Sequence, residues 1–389
     1  MLRVLTLSSL FPNKAQPTFG IFVERQTVGL AALADVEVQV VAPLGLPPWP
    51  LSLHSRYRPR KTLPPEEEWN GLKVYRPRYP IIPRIGAGRA ARSMASSLLP
   101  LLRRIRESFP FDVIDAEFFW PDGPAAMHLG RALGVPFSVT ARGSDIQYWM
   151  HRPEVAPQIL EAAEAAGGML AVSDALGRVM SGFGMPGRIR THYTGIDRER
   201  FRPVDRVTAK SELGVSGPLV ATVGALIPGK GQRAAIETIE RLPSATLLLA
   251  GEGPDRRALE AIVRQKRLGH RVRLLGGLPH NEVAKLMAAA DVMLLPLRSE
   301  GLANVWVEAL ASGTPVVTPD VGGACEVIDR PEAGSIVPAD PDAMAAAIEA
   351  ILADPPEQAL VRAASERFSC DANARALFMH LSAVAEGRP

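Results

Sequence analysis

Short apolar runs alternate with longer amphipathic stretches along the whole chain. The apolar runs of the first half are Val4 to Leu10, Val36 to Ala42, Val113 to Ala116, Phe137 to Ala141 and Gly168 to Ser173. Continuous apolar runs of this length are typical of parallel strands buried on both faces. Between the first two runs, Ile21 to Leu33 has the spacing of an amphipathic helix. The first half therefore predicts a doubly wound α/β domain.

The second half repeats this pattern. Its strand candidates are Leu219 to Val223, Ala245 to Ala250, Val272 to Leu275, Val292 to Leu295 and Pro315 to Thr318. Polar residues and Pro203 separate the two halves near Asp197 to Arg206, which is typical of a domain boundary. We expect an N-terminal domain over residues 1–198 and a C-terminal domain over residues 199–370. A last helical stretch, residues 371–389, is expected to cross back to the first domain.

Composition narrows the class of protein. Apolar residues make up 47% and charged residues 22% of the chain, which fits a folded globular protein and excludes a disordered one. No apolar stretch is long enough to span a bilayer, and the short run after Arg3 is interpreted as a strand rather than a signal peptide. Only Cys325 and Cys370 are present, so neither a disulfide framework nor a cysteine-based metal site is expected. These features favour a cytoplasmic protein.

The net charge of +3 is unevenly distributed. Residues 1–190 carry 22 Lys and Arg against 16 Asp and Glu, whereas the remainder is net negative. Much of the excess lies between Arg56 and Arg106. Such clusters are usually solvated surface, but this one is also suited to an anionic membrane or a phosphate-bearing acceptor. The apolar segment Leu44 to Leu53, which contains Trp49, could enter a membrane interface beside it.

The stretch from Leu294 to Leu310 carries the most candidate chemistry. An apolar strand ends, a polar loop contains Glu300 and Gly301, and a helix is predicted to start near Ala303. Ligands of open α/β sheets bind where strands end, and backbone N–H groups of a helix start can hold an anion there. Glu300 and Glu308 would lie on one side of such a site, and carboxylates suit the vicinal hydroxyls of a sugar or ribose. The spacing fits two surface glutamates at a helix start equally well.

Two glycine-containing segments follow other predicted strands. Gly224 to Gly231 nearly matches a phosphate-binding P-loop, but Gly231 replaces the required Ser or Thr, so an NTPase is excluded. Lys230 remains able to meet a pyrophosphate, although a solvated surface lysine has the same pattern. Gly322 and Gly323 allow a close ligand approach or an ordinary tight turn. The chain has no dinucleotide fingerprint, no metal-type histidine spacing and no nucleophile elbow.

Together these segments resemble the retaining glycosyltransferases of family 4, group 1, over essentially the whole chain. The resemblance implies the GT-B architecture, an α/β fold of two facing Rossmann-like domains, with the acceptor on the side of the N-terminal domain and the sugar nucleotide bound by the C-terminal domain. Glu300 and Glu308 look like the E-x7-E motif of that family, which implies Glu300 at the donor sugar and Glu308 at the donor ribose. Lys230 matches the lysine on the donor phosphates. The remaining donor-binding positions implied are Gly20, Gly224, Leu278, Gly301, Leu302, Ala303, Asn304 and Val305.

Two positions depart from the family pattern. Ala225 stands where the family usually has an arginine, which binds the donor phosphates together with the lysine. Arg298 or Arg142 could take that role. Arg142, in the segment Arg142-Gly143-Ser144-Asp145, replaces a histidine that commonly touches the donor sugar. Arginine offers forked donors but cannot act as a base near neutral pH. With Glu300 and Lys230, Arg142 completes the predicted catalytic set.

The expected function is retaining transfer of a sugar from a UDP- or GDP-type donor to a hydroxyl of a glycan or lipid-linked saccharide. The resemblance implies no metal, because cationic side chains and a helix start neutralise the leaving pyrophosphate. It also implies no cofactor, because the nucleotide sugar is a co-substrate. A peripheral membrane contact through the basic N-terminal domain is also expected, and a nucleic acid partner is not. Two alternatives stay open: an inactive or weakly active protein that binds glycans or nucleotide sugars, favoured by Ala225 and Arg142, and a sugar-nucleotide epimerase.

Overall fold

The computed structural model describes residues 1–82 and 86–388. The chain divides into two compact units. Unit 1 consists of residues 1–195 and the segment that starts at Cys370, and unit 2 is Ile196–Ser369. Arg84, one of the basic residues of the N-terminal half, lies outside the described residues. No helix in the described part of the chain is both long enough and apolar enough to span a bilayer.

Unit 1 is built on a largely parallel sheet. The strands of unit 1 are β1 (Leu2–Leu7), β2 (Val36–Val41), β3 (Leu44–Leu46), β4 (Glu66–Trp69), β5 (Leu72–Tyr75), β6 (Arg78–Pro80), β7 (Val113–Ala116), β8 (Phe137–Ala141), β9 (Gly168–Ala171) and β10 (Ile189–Thr191). The main sheet has the order β10-β9-β8-β7-β1-β2-β5-β4, and only the β4–β5 pair within it is antiparallel. Strands β3 and β6 form a separate parallel pair. The chain reverses direction across the sheet at β1, so unit 1 is doubly wound.

The helices of unit 1 are α1 (Ile21–Ala31), α2 (Arg58–Lys61), α3 (Ala90–Ser108), α4 (Asp122–Leu133), α5 (Ser144–Gln147), α6 (Ala156–Ala165) and α7 (Asp174–Gly182). Two helix ends in unit 1 have a clear local cause, the start of α7 and the end of α4. The Ser173 hydroxyl accepts the Leu176 N–H at 3.1 Å and caps α7. Gly134, with φ of 65°, ends α4 in the left-handed conformation that favours glycine.

A hairpin extends the sheet of unit 1 where the sequence analysis predicts no strand. Trp69 of β4 pairs with Leu72 of β5, and Asn70 and Gly71 connect them with φ of 48° and 78°. Positive φ at both central residues is the geometry of the tight turn that Asn-Gly favours between antiparallel strands. The Asn-Gly dipeptide was therefore a local signal for this hairpin.

Unit 2 contains a six-stranded, fully parallel sheet within the described residues. Its strands are β11 (Leu219–Val223), β12 (Thr246–Ala250), β13 (Val272–Gly276), β14 (Val292–Leu294), β15 (Val316–Thr318) and β16 (Gly334–Ile336), in the order β13-β12-β11-β14-β15-β16. Its helices are α8 (Arg206–Glu212), α9 (Gln232–Glu240), α10 (Arg256–Gln265), α11 (His280–Ala289), α12 (Asn304–Ala311), α13 (Ala324–Val327), α14 (Pro341–Ala353) and α15 (Gln358–Ala363). The strand order changes direction between β11 and β14. Ligands of open α/β sheets bind at such a switch point.

The C-terminal helix α16 (Cys370–Ala385) packs against unit 1. Leu377 and Leu381 join a buried apolar cluster with Val4 and Leu30, which lie on β1 and α1. On the polar side of α16, the His380 imidazole lies 2.7 Å from the Ser138 hydroxyl, and burial lowers the pKa of His380 to about 4. The helix therefore completes the core of unit 1 with apolar side chains and a neutral histidine.

The α/β class and the alternation of strands and helices in both halves are confirmed. Several predicted strands are longer than the observed ones. The run Val4 to Leu10 is strand only as far as Leu7, because the Ser8 hydroxyl donates to the Leu10 carbonyl at 2.8 Å and accepts its N–H, which turns the chain. The run Gly168 to Ser173 is likewise strand only as far as Ala171. The apolar segment Leu44 to Leu53, for which no strand is predicted, forms a short strand at its start and then turns and a short 3₁₀ helix.

Candidate functional site

The loops after five parallel strands of unit 2 line the same edge of its sheet. Because parallel strands share one carboxyl edge, residues distant in sequence meet there. The segments after β11 and β14 lie on either side of the switch point and are joined by the Arg298 N–H, which donates to the Gly229 carbonyl at 3.1 Å. The segment after β15 joins them through the Gly323 N–H, which donates to the Gly301 carbonyl at 2.9 Å.

Lys230 and Glu300 meet at this edge in an ion pair between their side chains. Lys230 ends a short 3₁₀ turn, Pro228–Lys230, in the loop after β11, and Glu300 lies in the loop after β14. The Lys230 side chain is 31% exposed and that of Glu300 is 21% exposed. A partly hydrated pair of this kind contributes little to stability and can exchange partners at low cost. The two side chains can therefore separate to receive a ligand that carries both phosphate and hydroxyl groups.

Two glycines set the shape of the loops around this pair. A Cβ on Gly231 would lie 1.9 Å from the Pro296 carbonyl oxygen, and Gly231 has φ of 75°. A Cβ on Gly322, with φ of 52°, would lie 2.0 Å from the Glu300 carbonyl oxygen. Neither position accepts a side chain without moving the backbone. Gly231 thus replaces the hydroxyl residue of a P-loop for a steric reason, and Gly322 supports the loop that carries Glu300.

Helix α12 begins directly after this loop. Among the residues that the structure describes, no side chain caps the first turn at Ala303, so only backbone N–H groups face the loop at the start of the helix. Leu302 and Ala303 are buried, whereas Asn304 and Val305 are half-buried. Positive potential at a helix start favours an anion. Glu308, the fifth residue of α12, is 4% exposed and lies on the buried side of the helix.

The other predicted donor-binding residues of unit 2 lie at the same sheet edge. Gly224 follows β11 with φ of 155°, and Gly251 packs so close to it that a Cβ would lie 1.9 Å from the Gly224 carbonyl oxygen. Leu278 is half-buried in the segment between β13 and α11. Ala225 contributes only backbone here, since its carbonyl accepts from the Gln232 amide at 2.8 Å. Arg298 is exposed in the loop after β14.

Gly20 and Arg142 belong to unit 1. Gly20 precedes α1 with φ of 73°, and a Cβ there would lie 2.3 Å from the Leu10 carbonyl oxygen. The Arg142 guanidinium packs on the same helix, 5.2 Å from the centre of the Phe22 ring and 3.2 Å from the Gln26 amide oxygen. Its ion-pair partner is Glu117, and the two side chains are 5% and 0% exposed. The Arg142 side chain is therefore buried inside unit 1, and its guanidinium already has the Glu117 carboxylate as a partner.

Further buried carboxyl groups lie near the pair of Arg142 and Glu117, and of these the sequence analysis names only Asp145. Burial, helped by the neighbouring Glu117, raises the pKa of Asp115 well above its usual value. Burial raises the pKa of Asp122 to about 7. The Asp145 carboxylate accepts backbone N–H groups of Phe119 at 2.9 Å and Gly143 at 2.8 Å, although burial still raises its pKa. The sequence did carry a signal for this cluster: Asp115 lies within the apolar run of β7, and Glu117 comes directly after that run.

No three or more histidine, cysteine, aspartate or glutamate side chains form a group that could hold a metal ion within residues 1–82 and 86–388.

Two family profiles match the chain one after the other. The profile of Glycosyltransferase Family 4 matches residues 21–200, and that of Glycosyl transferases group 1 matches residues 205–368. A protein of Bacillus subtilis (strain 168), named as a teichuronic acid biosynthesis glycosyltransferase, TuaC, is 30% identical over 89% of this chain and 88% of its own length.

Two solved structures share the fold over nearly all of both chains. Sucrose-phosphate synthase from Thermosynechococcus elongatus has a TM-score of 0.75 at 22% identity and covers 99% of this chain and 97% of its own. Anabaena HepE in complex with UDP has a TM-score of 0.76 at 19% identity and covers 98% of this chain and 100% of its own. These likenesses confirm the GT-B fold that the resemblance implied.

Proposed function

The chain belongs to the glycosyltransferases of family 4, group 1, and we propose that it transfers a sugar from a UDP- or GDP-type donor to a hydroxyl of a glycan or lipid-linked saccharide. The observation that carries this proposal is the meeting of Lys230 and Glu300 at the switch point of unit 2, beside the start of α12. A cation, a carboxylate and a helix start at one edge match the phosphates, hydroxyls and charge of a nucleotide sugar. The name of TuaC and the UDP complex of HepE support a polysaccharide product and a UDP donor.

In the proposed reaction, donor binding replaces the ion pair between Lys230 and Glu300. Lys230 moves to the donor phosphates, and backbone N–H groups between Gly301 and Val305 hold the sugar and the pyrophosphate. Glu300 accepts hydrogen bonds from the sugar hydroxyls, and Glu308 accepts them from the ribose. Leu278 lies beside the base. Lys230 and the start of α12 then stabilise the charge that develops on the leaving nucleoside diphosphate.

We propose retention at the anomeric carbon. The bond from the acceptor oxygen to that carbon forms on the face from which the phosphate leaves, and the acceptor proton passes to a phosphate oxygen of the leaving group. No protein base is required in this scheme, and Arg142 cannot supply one. We also propose that the transfer is independent of metal ions. Activity that EDTA abolishes and magnesium restores would contradict this last point.

The first experiment is a thermal-shift panel of UDP, GDP, ADP and their common sugar nucleotides. A ligand that binds only the folded protein raises the unfolding temperature by mass action, so a selective rise identifies the base. Transfer is then assayed with the matching sugar nucleotide and a panel of saccharide acceptors. Anomeric configuration of the product, read by NMR, tests retention.

Glu300→Ala tests the assignment of the site. The variant is expected to lose transfer while largely keeping the thermal shift with the nucleotide, because Glu300 is assigned to the sugar and not to the phosphates. Glu349→Ala, which removes an exposed carboxylate on α14, is the matched control and should behave like wild type. Transfer by Glu300→Ala at the wild-type rate would show that the site is wrongly assigned.

The same assays separate the alternatives. A nucleotide shift without transfer to any acceptor would favour a binding protein, which the buried engagement of Arg142 and the presence of Ala225 would explain. Conversion of the sugar nucleotide without an acceptor would favour an epimerase.

We further propose that unit 1 contacts an anionic membrane. Trp49 is 77% exposed, Leu51 is 53% exposed and Leu53 is 67% exposed, and the nearby α2 carries Arg58, Arg60 and Lys61. Apolar side chains beside a basic helix suit the interface of an anionic bilayer. Flotation with phosphatidylglycerol vesicles tests this, with phosphatidylcholine vesicles for comparison. Trp49→Ser with Leu53→Ser should abolish flotation, whereas Val207→Ser, at a 78% exposed position of unit 2, should not.

A further inference from the structure

A cavity of about 200 Å³ lies in unit 1 at the edge of the sheet where its parallel strands begin. The lining includes Gly168, the first residue of β9, Arg188, directly before β10, and the last turn of α16 with residues after it. Gly20 follows β1 and Arg142 follows β8, so both lie at the carboxyl edge. This amino-edge cavity is therefore at the opposite edge of the sheet from the candidate site residues of unit 1.

Two glycines allow α16 to pack closely beside the amino-edge cavity. A Cβ on Gly168 would lie 2.6 Å from Cε1 of His380, and a Cβ on Gly167 would lie 2.8 Å from Cγ1 of Val384. Both distances are shorter than an ordinary carbon–carbon contact, so a side chain at either glycine would displace α16. The packing of α16 on the start of β9 thus sets one wall of the cavity.

The chain turns back after α16 and brings Arg388 to this cavity. Gly387 has φ of 68°, and its N–H donates to the Val384 carbonyl at 3.1 Å. The Arg388 N–H donates to the Ala383 carbonyl at 2.8 Å. These two bonds around a left-handed glycine form a Schellman motif, which fixes the chain beyond a helix. The Arg388 side chain pairs with Glu386, and both are exposed, so this pair can exchange partners at low cost.

Three arginines from separate segments line the amino-edge cavity, Arg188, Arg190 and Arg388, and the described lining residues include no aspartate or glutamate. The Arg188 Nη2 donates to the Glu164 carbonyl at 3.1 Å, which orients the guanidinium and leaves donors for a ligand. Arg190 forms no ion pair with another residue of the described chain. Burial, helped by the nearby Arg190 charge, lowers the pKa of His380 to about 4. Because His380 also lines the cavity, the positive potential of Arg190 extends into it.

We propose that the amino-edge cavity binds the phosphate group of a small molecule. A phosphate monoester carries about 1.5 to 2 negative charges near pH 7 and three acceptor oxygens, which matches three cationic forks. A carboxylate has one charge and two oxygens, so it would leave arginines without an anion. The volume is below the usual range for larger organic ligands, which also favours a small phosphate compound.

A second role for these arginines explains less of the structure. Strand β10 is at the edge of the sheet, and charged side chains on an edge strand discourage pairing with another chain. That role accounts for Arg188 and Arg190 but not for Arg388 or for the cavity between them. A bound phosphate would join the end of α16 to the start of β10. This inference does not depend on the proposed glycosyl transfer.

The test is isothermal titration calorimetry of the full chain with inorganic phosphate and with glycerol 3-phosphate. Ionic strength is held constant, because salt screens exposed charges. The chain carries Lys230→Ala, so that phosphate binding at the proposed donor edge of unit 2 does not contribute. One saturable site is expected. Tighter binding of glycerol 3-phosphate identifies a phosphomonoester as the ligand, and equal or weaker binding identifies free phosphate.

Three further substitutions in this background locate the site. Arg190→Ala should weaken phosphate binding on the order of tenfold, the effect of losing one charge-assisted contact. Arg178→Ala removes an exposed arginine of unit 1 outside the cavity lining and should bind as the parent does. Ala383→Leu keeps every charge but fills part of the cavity, so it should also weaken binding. Thermal unfolding without phosphate verifies that each variant is folded.

Three results would overturn the proposal. The first is the absence of saturable binding of both phosphate compounds. The second is equal weakening by Arg178→Ala and Arg190→Ala, which would assign the binding to the general positive charge of unit 1. The third is unchanged binding in a folded Ala383→Leu chain, which would place the phosphate outside the cavity. Because Arg190 is exposed and its replacement leaves the core intact, Arg190→Ala is the deciding variant.

Discussion

Each unit places a cation against a carboxylate at the carboxyl edge of its sheet, and the two pairs differ in their exposure to water. In unit 2, Lys230 and Glu300 are 31% and 21% exposed. In unit 1, Arg142 and Glu117 are 5% and 0% exposed, and Gln26 also contacts the guanidinium. Charges that keep part of their hydration exchange partners at little cost, whereas separating a buried pair leaves an uncompensated charge. This difference supports the proposed donor-binding role of the first pair and indicates that the second pair is part of the fold of unit 1.

Removal of Glu117 should produce the largest loss of stability. Glu117→Ala leaves the Arg142 charge buried and unpaired, and we expect the free energy of unfolding to fall by about 3–5 kcal/mol. Urea denaturation followed by circular dichroism measures it. The double variant Glu117→Met with Arg142→Met removes both charges and should recover most of the loss. An unfolding midpoint of Glu117→Ala equal to that of wild type would show that the pair is not structural.

A side chain at Gly231 should disturb the proposed donor-binding edge of unit 2, because it would clash with the backbone. Gly231→Ala places a Cβ against the Pro296 carbonyl at a positive φ, so we expect a destabilisation of about 2–3 kcal/mol. Nucleotide thermal shifts should also weaken because the loops of Lys230 and Glu300 move. Gly229→Ala is the matched control, since a Cβ there has nothing within 4 Å. If the two variants behave alike, close packing does not shape this site.

Lys230→Ala should separate binding from stability. Loss of a charge-assisted contact to phosphate should weaken nucleotide binding by about 1.5–3 kcal/mol, or roughly tenfold or more. The free energy of unfolding should change by less than about 1 kcal/mol, because the pair with Glu300 is partly hydrated. Calorimetry gives the first quantity and urea denaturation the second. A large loss of stability with unchanged nucleotide affinity would show that the pair of Lys230 and Glu300 supports the fold and does not bind the ligand.

The smallest expected effect is a dependence of unit 1 on pH. Burial raises the pKa of Asp122 to about 7, above its value in the unfolded chain. The folded state then holds a proton that the unfolded state has lost, so this group's contribution to stability falls as the pH rises from about 4 to about 7. Asp122→Asn cannot ionise, so its stability relative to wild type should rise by about 1.4 kcal/mol for each pH unit between about 4 and about 7.

The advantage of Asp122→Asn should shrink in mild acid, which urea denaturation across pH measures. An advantage that stays constant with pH would show that Asp122 does not titrate in this range.

Much of the fold could be predicted from the sequence because buried parallel strands are continuous apolar runs. The runs Val113 to Ala116, Phe137 to Ala141 and Leu219 to Val223 match the observed strands at both ends. The β4–β5 hairpin was missed because Glu66–Trp69 is mostly charged and carries no apolar run. Its Asn-Gly turn was the usable signal.

Some residues of the candidate site could be predicted from a local motif, whereas the contacts between its loops could not. Glu300, Gly301 and Glu308 are close in sequence, so a local motif suffices to select them. That Lys230, seventy positions earlier, reaches Glu300 follows only from the order β11-β14 in the sheet. The steric reason for Gly231 likewise depends on Pro296, which belongs to a different loop.

The sequence by itself determined the class of fold, the family and the residue types at the proposed donor edge, because these depend on local periodicity and short motifs. Tertiary structure decided that Arg142 is buried against Glu117, and that Arg188, Arg190 and Arg388 line one cavity. Side chains from separate strands are brought together by the packing of the sheet, and their hydration is set by what covers them. Hydration in turn decides whether a charged pair holds the fold or can be exchanged for a ligand.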